Sequence, residues 1–212
     1  MIIKRDSVLN QLPKEVLTER EIIFLETIIH SIRVIDISYN RLAKQLHENK
    51  DDLATELPMI EVWNIIDSSH RLRCIVEKTP GLKKKAIWFQ LTVRKLKETE
   101  DLRNFIQHYN QEIDNLINNV QPLLGHLSWV EKLNGNEAKI GLIVPGNLRQ
   151  FEGLELVNPA GKMIRSNIDL VTFYMSKFEL NLSNIYFQLI DFIKELEIYI
   201  ENKSSAQQAI IK

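Results

Sequence analysis

Arg103, Asn104 and His108 stand close together in a segment free of proline and glycine, with Gln107 and Gln111 beside them. At about 100° per residue, a helix through this segment keeps all five within about 140° of one another. Leu102, Phe105, Ile106, Tyr109, Ile113 and Leu116 then gather on the opposite side. One side of such a helix packs, and the other offers a cation, an imidazole and three amides. An imidazole exchanges protons near neutral pH. A guanidinium grips an oxyanion through paired N–H donors, and an amide can orient either partner. The plainer reading is a solvated helix face on which Arg103 pairs with Glu100 or Gln107.

A second polar group, Asp67, His70, Arg71, Arg73 and Glu77, falls in the run Met59–Glu77, which is otherwise apolar around almost its whole circumference. A helix of that kind is expected to be buried, and buried charges need partners. Asp67 reaches His70 and Arg71 at helical spacing, and Arg73 reaches Glu77. The group either staples helices together or lines a cleft in which Arg71 or Arg73 adds contacts to an anion. Asp67, His70 and His108 show no ligand spacing of a known metal signature, so neither metal nor cofactor is expected.

The segment Arg103-Asn104-Phe105-Ile106-Gln107-His108 resembles the signature of the HEPN superfamily, an arginine followed by a polar residue and, after four to six intervening positions, a histidine. The resemblance covers the motif and its helical context, roughly residues 18–120. Arg41 and His47 satisfy the same spacing, but Leu42 follows that arginine where the family has a polar residue. The resemblance implies a helical bundle that pairs as a homodimer, with RNA cleaved in the cleft between two copies and no metal. His108 would be the general acid or base, Arg103 the phosphate clamp, and Asn104 would hold the phosphate or orient the histidine. Many members act in toxin–antitoxin or defence systems, which implies a partner protein such as an antitoxin. Others are non-catalytic modules for dimerisation or protein interaction.

The formal net charge of −1 gives no general pull toward nucleic acid or anionic membrane. Any RNA site must therefore be local, and the run Lys83-Lys84-Lys85 with Arg94, Lys95 and Lys97 makes the most basic stretch. A lone Cys74 excludes an internal disulfide and reads as a small buried hydrophobe. No apolar run approaches membrane-helix length and the first residues do not read as a signal peptide, so a cytoplasmic protein is expected. Gly141 and Gly146 have phosphate-loop spacing, but Asn147-Leu148 stands where lysine and a hydroxyl are required. Trp63, Trp88 and Trp129 sit in apolar contexts and read as core.

Glycine placement divides the chain. Residues before Gly81 contain none, and the rest cluster from Gly125 to Gly161. The pattern predicts a mainly α protein (α+β overall): a helical bundle over residues 1–121, a small antiparallel β-rich insertion over 122–176, a C-terminal helix over 177–202 packing on the bundle, and a flexible tail over 203–212. Within the bundle, Thr18 and Glu21 predict a capping box opening a helix to about His47. Pro58 suits the first turn of a second, which Pro80-Gly81 ends. Lys83–Lys97, with Ile87, Trp88, Leu91 and Leu96 inward, predicts a third. Thr99 is expected to cap a fourth, running to about Val120. His126–Leu133 and Ala138–Val144 around Asn134-Gly135-Asn136 predict a hairpin. Leu154–Val157 and Lys162–Arg165 flank a turn at Asn158–Gly161, and Ile168–Met175 makes a further strand.

Overall fold

A computed structural model describes residues 1–48, 56–133, 137–146 and 154–211, the last five of these in backbone only. The chain is mainly α, with a four-stranded antiparallel sheet. Its elements are α1 (Glu19–Glu48), α2 (Glu56–Lys78), α3 (Ile87–Gln107), α4 (Tyr109–Asn118), β1 (His126–Lys132), β2 (Ala138–Ile143), β3 (Ile168–Met175), β4 (Phe178–Asn181) and α5 (Leu182–Ile211). A single 3-10 turn, Val8–Asn10, precedes α1.

The capping box forms as expected. The Glu21 backbone N–H donates to Thr18 Oγ1 at 3.3 Å, and the Thr18 N–H donates to Glu21 Oε2 at 2.9 Å. Pro58 lies in the first turn of α2, and α2 stops before Pro80-Gly81. The third and fourth helices differ from expectation. One helix runs unbroken from Ile87 through Thr99 to Gln107. Thr99 is buried and its hydroxyl donates to the Leu96 carbonyl at 2.7 Å, so it satisfies itself inside the helix and caps nothing. The inward residues of α3 are Phe89, Thr92, Leu96, Thr99 and Leu102. Ile87 and Leu91, expected inside, are exposed because that phase turns them outward.

Leu182 starts α5 directly after β4, and the helix continues past Glu201 to Ile211 in place of the expected tail. Lys203 anchors this extension by donating to Glu21 Oε1 at 2.6 Å. The hydroxyls of Ser204 and Ser205 donate to carbonyls one turn back, so neither competes with the helix. The short strand β4 was hidden in the expected helical segment. The segments Leu154–Val157 and Lys162–Arg165 are irregular, joined by a turn in which the Ala160 N–H donates to Asn158 Oδ1 at 2.9 Å. The predicted turn Asn134–Asn136 lies outside the described residues, although β1 and β2 pair on either side of it.

The sheet order is β2-β1-β3-β4. Trp129 on β1 faces Gly141 on β2. A Cβ at Gly141 would lie 2.2 Å from the indole, so only glycine lets the ring cover the neighbouring strand. Every residue of β3 is buried. Phe173 joins Ile28, Ile32, Leu42, Ile65, Leu96, Phe192 and Leu196 in one continuous hydrophobic cluster. Helices and strands thus share a core. Trp63 packs edge-on against Phe173, and Trp88 packs edge-on against Phe89 and at a tilt against Phe192. No helix among the described residues is long and apolar enough to cross a membrane.

The end of α4 carries backbone strain. Val120 has φ +52°, while the Gln121 N–H donates back to the Leu116 carbonyl at 3.0 Å. This is a helix stop that favours glycine, here built with a β-branched residue. Since Val120 is exposed, Val120→Gly is expected to raise stability by about 1 kcal/mol. Urea unfolding of the two proteins checks this; an unchanged or lower midpoint would count against the strain.

Candidate functional site

His108 sits at the junction of two helices, closing α3 and opening α4 with φ −104° and ψ 19°. These angles lie in the sparsely used bridge region, where active-site residues recur. Its N–H donates to the carbonyls of Asn104 (3.1 Å) and Phe105 (3.2 Å), and its own carbonyl accepts from the Gln111 N–H at 2.9 Å. The kink arises without proline or glycine, which is why helical periodicity did not reveal it.

An open cleft of about 560 Å³ is lined by Asp101, Asn104, Phe105, His108, Gln111 and Glu112 from the α3–α4 side, and by Ser176, Lys177 and Phe178 from the β3–β4 turn. Phe105 and Phe178 meet edge to face at 5.4 Å between centroids, tying the turn to the helix end. The rings and amides of His108, Asn104 and Gln111 are exposed and make no side-chain hydrogen bond among the described residues. Gln107 is exposed as well and does not line the cleft. Lys177 brings a cation that the sequence did not reveal, because it reaches the cleft across the sheet.

Arg103 points elsewhere. Its Nε donates to Asp67 Oδ1 on α2 at 3.2 Å, and Arg71 forms an ion pair with the other oxygen of the same carboxylate. The partner is neither Glu100 nor Gln107, the two nearest along its own helix. Glu100 instead joins Arg73, whose Nη2 donates to it at 2.9 Å while Nη1 donates to Glu77 at 3.1 Å. The Arg73 side chain is only 12% exposed, so α2 and α3 are stapled by a nearly buried guanidinium between two carboxylates. The second polar group thus belongs to the α2–α3 seam, and the cleft lining does not include it.

His70 lies in that seam, half-buried, with Nε2 3.7 Å from Cys74 Sγ and Nδ1 buried without a partner. Desolvation, then the charges of Arg103 and Arg73, push its pKa below 6.5. Cys74 is half-buried, less enclosed than expected. His126, on β1, is a second neutral imidazole: burial lowers its pKa against the opposing pull of Glu155. Its Nε2 donates to the Glu155 carbonyl at 2.9 Å and its ring stacks on Tyr174 at 4.9 Å. Both histidines bind fewer protons in the folded state than when unfolded. Their contribution is intact above about pH 6.5 and is lost as the pH falls from there through the folded pKa values. The melting temperature should therefore fall from about pH 7.5 to about pH 5, and His126→Phe, which keeps a stacked ring, should flatten the slope. An identical slope in the variant would remove His126 from the explanation.

Among the described residues, no group of three or more His, Cys, Asp or Glu is placed to hold a metal ion. No protein-family model matches the chain, and neither a curated protein nor a solved structure matches it.

Proposed function

We propose that the protein is an HEPN-like, metal-independent endoribonuclease and that the cleft at His108 takes the scissile phosphate. The observation that carries this reading is the exposed imidazole of His108 in an open cleft with the Asn104 and Gln111 amides and the Lys177 ammonium around it, beside the carboxylates of Asp101 and Glu112. In this reaction His108 takes the proton of a ribose 2′-hydroxyl. That oxygen attacks the neighbouring phosphorus, and the P–O5′ bond breaks. A 2′,3′-cyclic phosphate and a 5′-hydroxyl result, the leaving oxygen taking a proton from solvent or from the imidazolium. Asn104 holds the phosphate or orients His108. Charge on the phosphorane is met by Lys177, or by Arg103 when it exchanges Asp67 for the phosphate.

The protein acts as a homodimer in this reading, in the cytoplasm, as a toxin or defence protein with an antitoxin-like partner. The test is cleavage of single-stranded RNA in EDTA by wild type, His108→Ala, Arg103→Ala and Lys177→Ala, with dimerisation followed by light scattering. Loss in Lys177→Ala alone among the cations assigns the clamp to the β3–β4 turn, and loss in Arg103→Ala assigns it to the exchanged arginine. Cleavage surviving His108→Ala removes the site.

The second reading is a non-catalytic HEPN-like module for dimerisation or protein interaction. The pairing of Arg103 with Asp67 favours it, because a neutralised guanidinium makes a poor phosphate clamp. Pure wild-type dimer that binds no RNA would decide for this reading.

A further inference from the structure

The segment before α1 crosses that helix beside a set of cations that serve neither the cleft nor the core. Asn10 organises them. Its Nδ2 donates to the carbonyls of Lys4 (2.8 Å) and Arg5 (2.9 Å), and its Oδ1 accepts from Arg33 Nη2 at 2.9 Å. One amide thus fixes both the loop that carries Lys4 and Arg5 and the guanidinium facing it from α1. The three cations line a cavity of about 350 Å³. A second cavity of about 420 Å³ shares Asn10 and Arg33 with the first and adds Lys14.

No carboxylate among the described residues lies within ion-pair distance of Lys4, Arg5, Lys14 or Arg33, in contrast to the paired Arg71, Arg73 and Arg103. Asp36 also lines the first cavity, but its oxygens already accept from the Ile2 N–H, the Tyr186 hydroxyl and Asn40. Glu26 lines the second. Lys4, Arg5, Lys14 and Arg33 are all exposed and solvated, and their convergence on two adjoining cavities makes a local positive field that draws an anion. A guanidinium with one N–H on Asn10 keeps four donors for an oxyanion.

We infer that these two cavities form a binding site for a ligand carrying at least two phosphate groups, one on each side of Arg33. The second phosphate follows from the shared arginine: a single anion in either cavity would leave Lys14, or Lys4 and Arg5, without a partner. Either a nucleic-acid backbone or a soluble polyphosphate presents this chemistry. The site does not depend on the cleavage reading.

Isothermal titration of the full chain tests it, with tripolyphosphate in one arm and a short oligodeoxynucleotide, which lacks the 2′-hydroxyl, in the other. Saturable binding is expected in at least one arm, weakened about tenfold by Arg33→Ala and about fivefold by Asn10→Ala. The second variant changes no charge, so it separates a built site from diffuse attraction. Lys194→Ala, on the exposed side of α5, is expected to bind as wild type does. Tighter binding of the oligodeoxynucleotide makes the ligand a nucleic-acid backbone, and tighter binding of tripolyphosphate makes it a soluble polyphosphate. The inference is overturned by no saturable binding in either arm, by equal binding of citrate, by wild-type affinity in Asn10→Ala, or by a matching loss in Lys194→Ala.

Discussion

His108→Ala is expected to lower RNA cleavage about a thousandfold while leaving the melting temperature unchanged. The two halves of this result rest on different observations. The loss in rate follows from the proposed chemistry, in which no other imidazole lines the cleft: His70 belongs to the α2–α3 seam and His126 bonds to the Glu155 carbonyl. The unchanged stability follows from the structure itself. The ring is exposed and takes no hydrogen bond among the described residues, and the junction is held by backbone bonds that alanine also makes. Rates would be compared in EDTA on one RNA, with calorimetry of both proteins. A variant that loses activity together with several degrees of melting temperature would show that His108 supports the fold, and would not count for catalysis.

Asp36→Ala is expected to destabilise the protein by about 3 kcal/mol. Asp36 is buried on α1 and ties three elements together. It accepts from the Ile2 N–H at 3.1 Å, from Asn40 at 2.8 Å and from the Tyr186 hydroxyl of α5 at 2.9 Å. Alanine would leave the Ile2 N–H and the Tyr186 hydroxyl, both on buried residues, without this acceptor, and an unpartnered buried donor costs more than a hydrogen bond contributes. Burial above all, together with the Asp36 carboxylate, pushes the Tyr186 phenol up to about 12, so it remains a donor across the physiological range. The neighbouring Tyr39 stacks on Tyr186 at 4.1 Å and bonds to Ser183 Oγ at 2.7 Å, and that oxygen also accepts the Val171 N–H of β3 at 2.9 Å. Urea unfolding of Asp36→Ala, with Tyr186→Phe as the milder comparison, measures the link. A loss below about 1 kcal/mol would mean that water replaces the carboxylate.

Where structure was written in local chemistry, the sequence could be read directly. Thr18 with Glu21, Pro58, the pair Pro80-Gly81 and the apolar run Ile168–Met175 each set an element within a residue or two of its observed bounds. Reading failed where two local signals competed or a tertiary partner decided. Thr99 followed by acidic residues looks like a helix start, yet a threonine whose hydroxyl bonds to its own helix can sit in the interior. Lys203 lies in a polar stretch, and its ion pair with Glu21 is set by the approach of α5 to α1. The candidate site was legible by composition and misread in geometry. A wheel drawn through Arg103 and His108 assumes one continuous helix. Asn104, His108 and Gln111 lie within about 60° on that wheel and do share the cleft, while Arg103, about 100° from Asn104, is drawn to Asp67 on α2, a tertiary partner that the wheel does not show. Lys177 could not be assigned to the cleft without the sheet register that carries the β3–β4 turn to it.

The hydrogen bond between Asp36 and Tyr186 joins residues 150 apart in sequence, that between Tyr39 and Ser183 residues 144 apart, and the Glu21–Lys203 contact residues 182 apart. At roughly 10 residues per second, a ribosome makes Asp36 about 15 s before Tyr186 exists. Throughout that interval α2 can pack on α1, but the Asp36 carboxylate and the side of α1 that meets α5 have no partner. Closing so long a loop is entropically costly and brings no return until the last helix docks. The core of this protein therefore closes only when its last helix is made, and a chain cut short before α5 lacks the partners of Asp36, Tyr39 and Glu21.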